Sequence, residues 1–149
     1  MTPRRALQRM RELELLQRVE RDVAAVDVAE AQARETTALE TADRDADRAR
    51  ALATTWDAAI GSDRFLPEMT SAIGAALLDA DATADAASRQ AMDMTALREM
   101  RTGQWQRLDA TMRATGDVVR GLARDAARQD EETALAAVAE RATLQWRRR

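Results

Sequence analysis

Asp43, Asp45 and Asp47, in the run TADRDADRAR, are the residues whose spacing comes nearest to a cation-ligand set. On a helix, residues two apart point about 200° away from each other. The run also lacks the glycine and the closing glutamate that an EF-hand loop places at fixed offsets. These aspartates therefore read as a solvated acidic face with arginine partners. The chain contains no Cys and no His. That removes the thiol nucleophile, the disulfide and the thiolate metal site, together with the commonest general base and zinc ligand. No glycine-rich phosphate loop or nucleophile–base pairing is visible. The expectation is a protein that is not an enzyme and uses no metal or cofactor.

The remaining chemistry is charge. All 23 basic residues are Arg, and 26 acidic residues set the net charge at -3. Residues 1–21 hold six Arg against three Glu, and residues 141–149 hold four Arg and no acid. Arg4, Arg5, Arg9, Arg11, Arg141, Arg147, Arg148 and Arg149 are thus candidates for gripping a partner. Phosphate binding would use such arginines, but the net charge is negative and no nucleic-acid motif is present. A membrane surface fits poorly, because acids are interspersed and no aromatic residue occurs before Trp56. A protein partner and a plain solvated helix end, favoured by the helix dipole at the C-terminus, both stay open. A second candidate is Phe65, Leu66, Met69, Ile73 and Leu77, which include the only Phe of the chain. They suit either anchorage in a partner's groove or packing back on the rest of the chain.

The elements that must position these residues are helical. A chain of 149 residues makes about one domain, here a single domain over 1–149. Half of its apolar residues are Ala, aromatic residues are 3% and charged residues 33%, the profile of a long helix or coiled coil. Residues 4–60 contain neither Gly nor Pro, and Pro3 suits a first helical turn with Thr2 as its cap. Met10, Leu13, Leu16, Val19, Val23 and Val26 recur at steps of three and four, continued by Ala42, Ala46, Ala49, Ala53, Trp56 and Ile60. Gly61 to Arg64 breaks this helix, placed at about 4–60. Pro67 opens a short helical segment at about 65–79, which Gly74 weakens. DADATADAA reads as a linker or a frayed start. A second long helix follows at about 84–146, with Leu97, Met100, Trp105, Leu108, Met112, Val119, Leu122, Leu135, Val138 and Ala142 on one face. Gly103, Gly116 and Gly121 inside it read as points of close approach or slight bending. The three Trp read as seam or end packing.

The predicted fold is all-α: a long antiparallel two-helix coiled coil, a helical hairpin, with a short irregular helical segment at the middle of the chain. The alternative is a continuous rod dimerising in parallel, which Gly61 and Pro67 oppose. In a hairpin of two similar helices the termini lie side by side. The expectation is one basic tip, an acidic shaft and an apolar-bearing bend, which suits a connector between two partners. There is no apolar run of signal-peptide or membrane-span length, and a cytoplasmic location is expected.

The start PRRALQRMRELELLQRVE, the first helix ending in Trp56, the segment GSDRFLPEMTSAIGAAL and the end ARQDEETALAAVAERATLQWRRR resemble the FliJ/YscO family of flagellar and type III secretion export ATPase stalk proteins. The resemblance implies a long antiparallel coiled coil acting as a monomer. Its basic end, Arg4, Arg5, Arg9, Arg11, Arg141, Arg147, Arg148 and Arg149, would enter the hexameric export ATPase. Phe65, Leu66, Met69, Ile73 and Leu77 would contact the cytoplasmic domain of the export-gate membrane protein, and export chaperones are further partners. The protein would sit in the cytoplasm, peripheral to the inner membrane at most, and bind no nucleic acid. Read without the resemblance, a generic self-associating coiled-coil scaffold is the alternative, followed by a nucleic-acid-associated helical protein.

Overall fold

The structure, a computed structural model, describes residues 3–63 and 66–147. The chain forms an all-α helical hairpin of two long helices packed against each other, α1 (Pro3–Ile60) and α2 (Pro67–Arg147). No strand occurs among the described residues. Pro3 and Pro67 each occupy the first helical position, where the missing amide hydrogen costs nothing. Gly61 follows α1, and its N–H donates to the Asp57 carbonyl at 3.0 Å. No glycine has a positive φ, so α1 ends by a continued helical turn without a left-handed cap.

One difference from the sequence reading concerns continuity. The segment expected at 65–79 and the helix expected from 84 are one helix of 81 residues. DADATADAA contains no Gly or Pro, and alanine has the highest helix propensity. Its aspartates Asp79, Asp81 and Asp85 are exposed at the helix surface, where they cost the helix little. Phe65 lies outside the described residues.

Contacts group the chain into two units, Ala24–Gln104 and Met1–Val23 with Trp105–Arg149. The Ala24–Gln104 unit holds the turn. Its seam is built from alanine: Ala31, Ala38 and Ala49 of α1 and Ala80, Ala87 and Ala91 of α2 are buried. Steps of four, seven and eleven keep residues on one face of a helix, so these rows form the stripe of a coiled coil. No described side chain is completely buried, consistent with a thin seam. Near the turn the Trp56 ring covers Gly74, where an added Cβ would lie 2.6 Å from the ring. Thr70, buried, donates its hydroxyl to the Leu66 carbonyl at 3.0 Å. Other threonines, such as Thr36, Thr37, Thr54 and Thr55, donate to the carbonyl four residues earlier, which satisfies their hydroxyls within the helix.

The unit holding both chain ends has a different seam. α2 contributes an apolar row, with Val119 and Ala126 buried and Trp105, Leu108, Met112 and Leu122 half-buried. α1 sets against it Leu7, Met10, Glu14, Gln17 and Arg21, all half-buried. The row predicted to face a partner helix is not there. Leu13, Leu16, Val19 and Val23 are 41–64% exposed, and only Met10 of that row's start is half-buried. A helix shows one face to one partner. Along α1 the alanine row Ala24, Ala31 and Ala38 is in phase with Met10, Glu14, Gln17 and Arg21, not with Leu16, Val19 and Val23. The small residues, not the large ones, set the face.

Two of the interior glycines also differ from expectation. A Cβ added at Gly103 or Gly121 would meet nothing within 4 Å, and one at Gly116 would make ordinary contact with Glu14 at 3.5 Å. Close approach of a neighbour therefore explains neither Gly103 nor Gly121.

Candidate functional site

The candidate surfaces are the end of the hairpin where both termini lie and the turn. At the former, the first turn of α1 is tied to α2 by Arg4, which donates to Asp130 at 2.7 Å. Both side chains are more than half exposed, and such surface pairs contribute little stability. The pair does fix the level of the two helices. Residues 131–147 of α2 continue past it, about 25 Å of helix at 1.5 Å per residue. Residues 127–143 are all exposed. The two helices are of unequal length, 58 and 81 residues, so the basic ends do not meet at one level. Arg4, Arg5, Arg9 and Arg11 are exposed on α1, whereas Arg141 is exposed about 16 Å beyond Asp130 along α2. Arg147 is the last residue of α2, and Arg148 and Arg149 lie outside the described residues. Leu135, Val138 and Trp146 are 62–85% exposed on the same projecting stretch.

Further along this unit, Asp109 is buried and bridged by two arginines, Arg113 at 2.7 Å from its own helix and Arg21 at 3.8 Å from α1. Arg21 also donates to Asp22 at 2.5 Å. That bond, with the charge of Asp22 and then that of Asp109, holds the Arg21 pKa above its ordinary value. Beside them the Gln17 side-chain oxygen is buried without a hydrogen-bond partner, an arrangement that costs about 1–3 kcal/mol. Sequence periodicity alone missed this polar cluster. The signal was present, since Glu14, Gln17 and Arg21 keep the three-four spacing of a seam, but their polarity hid it.

The Ala24–Gln104 unit carries two further bridges between helices. Arg98 grips Glu35 with Nε at 2.8 Å and Nη2 at 3.4 Å, and Arg101 donates to Asp27 at 3.2 Å. The Arg98 guanidinium, helped by the Thr95 hydroxyl, holds the Glu35 carboxyl below the usual range. The same contact raises Arg98. Around the turn, Leu66 and Met69 are 56% and 50% exposed. Ile73 and Leu77 are half-buried in the seam. The proposed anchor therefore divides: two residues face outward and two pack inward.

Asp47 is engaged by Arg50, and Asp45 is half-buried. Among the described residues no group of three or more acidic side chains is arranged to hold a metal ion. No described helix is long and apolar enough to cross a membrane. The groove beside the alanine seam is lined by Ala33, Arg34, Thr37, Ala38, Thr41, Ala87, Gln90 and Met94. Compared with known protein families, with characterised proteins and with solved structures, the chain matches none.

Proposed function

We propose that this protein is a non-catalytic stalk or adaptor of a type III protein export apparatus, flagellar or injectisome. In this reading the arginine-bearing end enters the hexameric export ATPase. The turn contacts the cytoplasmic domain of the export-gate membrane protein, and export chaperones are further partners. The protein works in the cytoplasm, at the periphery of the inner membrane. One observation supports the reading above the others: both chain ends belong to a single unit, with Arg4, Arg5, Arg9, Arg11 and Arg141 exposed on it. A helical protein can bind different partners through two separate surfaces without chemistry of its own. The resemblance of its terminal and mid-chain segments to stalk proteins supplies the identity of those partners.

The test is ATPase stimulation. The chain should raise the turnover of the export ATPase encoded in the same cell. Arg4, Arg5, Arg9, Arg11 and Arg141 changed together to Glu should abolish that effect while leaving the circular-dichroism spectrum unchanged. Full retention of stimulation would refute the proposed tip. A second reading, a self-associating coiled-coil scaffold, is favoured by one feature, the exposed Leu15, Leu16, Val19 and Val23. Light scattering separates the two, since the stalk acts as a monomer.

A further inference from the structure

At the end of the hairpin where the termini lie, the two helices are mismatched. α2 offers Trp105, Leu108, Met112, Val119 and Leu122 toward α1. α1 answers with Leu7 and Met10 near its start but then with Glu14, Gln17 and Arg21, and the Gln17 oxygen is buried without a partner. On the opposite face of the same stretch of α1, Leu15, Leu16, Val19 and Val23 are 58–64% exposed. The exposed row has the spacing of the buried one, displaced by two residues: Leu16 for Glu14, Val19 for Gln17, Val23 for Arg21. Two residues on a helix are a rotation of about 200° and a rise of about 3 Å.

We infer that this end of the hairpin has two seam registers, the one described and one in which α1 has turned its Leu16, Val19 and Val23 row onto the apolar row of α2. The second register removes the exposed Leu16, Val19 and Val23 side chains from water. It also frees Glu14, Gln17 and Arg21 to water. Against it stand the Asp109 bridge, which is lost, and the local overwinding or bulge that a two-residue shift imposes on a continuous helix. A partner that takes hold of the exposed aliphatic row holds the end in the described register. A partner that binds the polar row holds the other. The proposal concerns the isolated chain and does not rest on the stalk reading.

Disulfide trapping tests it, because the chain has no cysteine of its own. Glu14 and Gly116 face each other, with the Glu14 carboxylate 3.5 Å from where a Gly116 Cβ would stand. The double variant Glu14→Cys with Gly116→Cys joins positions that touch across the described seam and is the trap for that register, read in a glutathione buffer. Leu16→Cys with Gly116→Cys can close only after the rotation, since a disulfide needs its Cα atoms within about 7 Å. Both pairs should reach a measurable oxidised fraction at equilibrium. Adding Val23→Ser should lower the closure constant of the second pair about tenfold and leave the first pair unchanged or raised. A second pair that never oxidises overturns the proposal. So does one that oxidises but ignores Val23→Ser, which would mark simple fraying of the end.

Discussion

The interior glycines of α2 give a graded test of the packing. Gly103, Gly121 and Gly74 all sit in one helix, and replacing a helical glycine by alanine removes a propensity penalty of about 1 kcal/mol. At Gly103 and Gly121 the new methyl group enters open space. Gly103→Ala and Gly121→Ala should each stabilise by about 1 kcal/mol. Combined, they should add about 2 kcal/mol, or about 4–8 °C in Tm for a chain of this size. At Gly74 the Cβ would stand 2.6 and 2.9 Å from two atoms of the Trp56 ring. That is closer than carbon atoms pack, so the ring or the helix must shift. Overpacking costs about 1–3 kcal/mol, which exceeds the propensity gain, and Gly74→Ala should lose about 1 kcal/mol net. The assay is urea unfolding followed by circular dichroism, with fluorescence of a background in which Trp105 and Trp146 are Phe as the local probe of Trp56. Equal stabilisation at all three positions would show that Trp56 does not lie over Gly74. Destabilisation at Gly103 would show that α2 presents a different face from the one described.

Other outcomes follow from the seam. Ala38→Leu forces a large side chain into a position 7% exposed and should destabilise by about 1–3 kcal/mol, visible as a lower urea midpoint. Gln17→Leu removes the buried unpaired oxygen and should stabilise by about 1 kcal/mol in the same assay. Because Arg98 holds Glu35 below the usual carboxyl range, its contribution is fully present above the ordinary Glu pKa and is lost as pH falls through the folded-state value. The stability gap between the native chain and Glu35→Gln should therefore shrink as pH is lowered from about 6 to about 3. A gap that stays constant would show that the Arg98 contact does not form in solution.

The helical hairpin was legible because its signals are local and agree with one another. Pro3 and Pro67 sit at first helical positions, Gly61 follows the first helix, and no other breaker interrupts residues 4–60. The apolar row of α2 from Trp105 to Leu122 was legible for the same reason. Along α1 the expected continuation through Ala42, Ala46, Ala49, Ala53 and Trp56 is buried or half-buried, but the facing side of its first part was not legible. Periodicity finds rows of large residues, but alanine has little hydrophobic weight and sets the seam by letting backbones approach. In α1 the large-residue row and the small-residue row fall on opposite faces, and the sequence does not say which one a partner helix will select. The arginines of both termini were visible as chemistry. Their separation along α2 was not, because it depends on where the turn falls relative to the two helix lengths.

Among the described residues, no helix packs beside the stretch of α2 beyond Asp130. Seventeen residues in water sit near the length at which an isolated helix is only marginally stable, so backbone hydrogen bonds there open far more readily than those beside the alanine seam. Amide hydrogens of residues 131–147 should exchange orders of magnitude faster than those near Ala87. A protease should find this stretch first. Whatever binds it would convert a fluctuating coil into a fixed one, so its affinity would fall steeply with any substitution that lowers helix propensity there, even one that touches no partner atom.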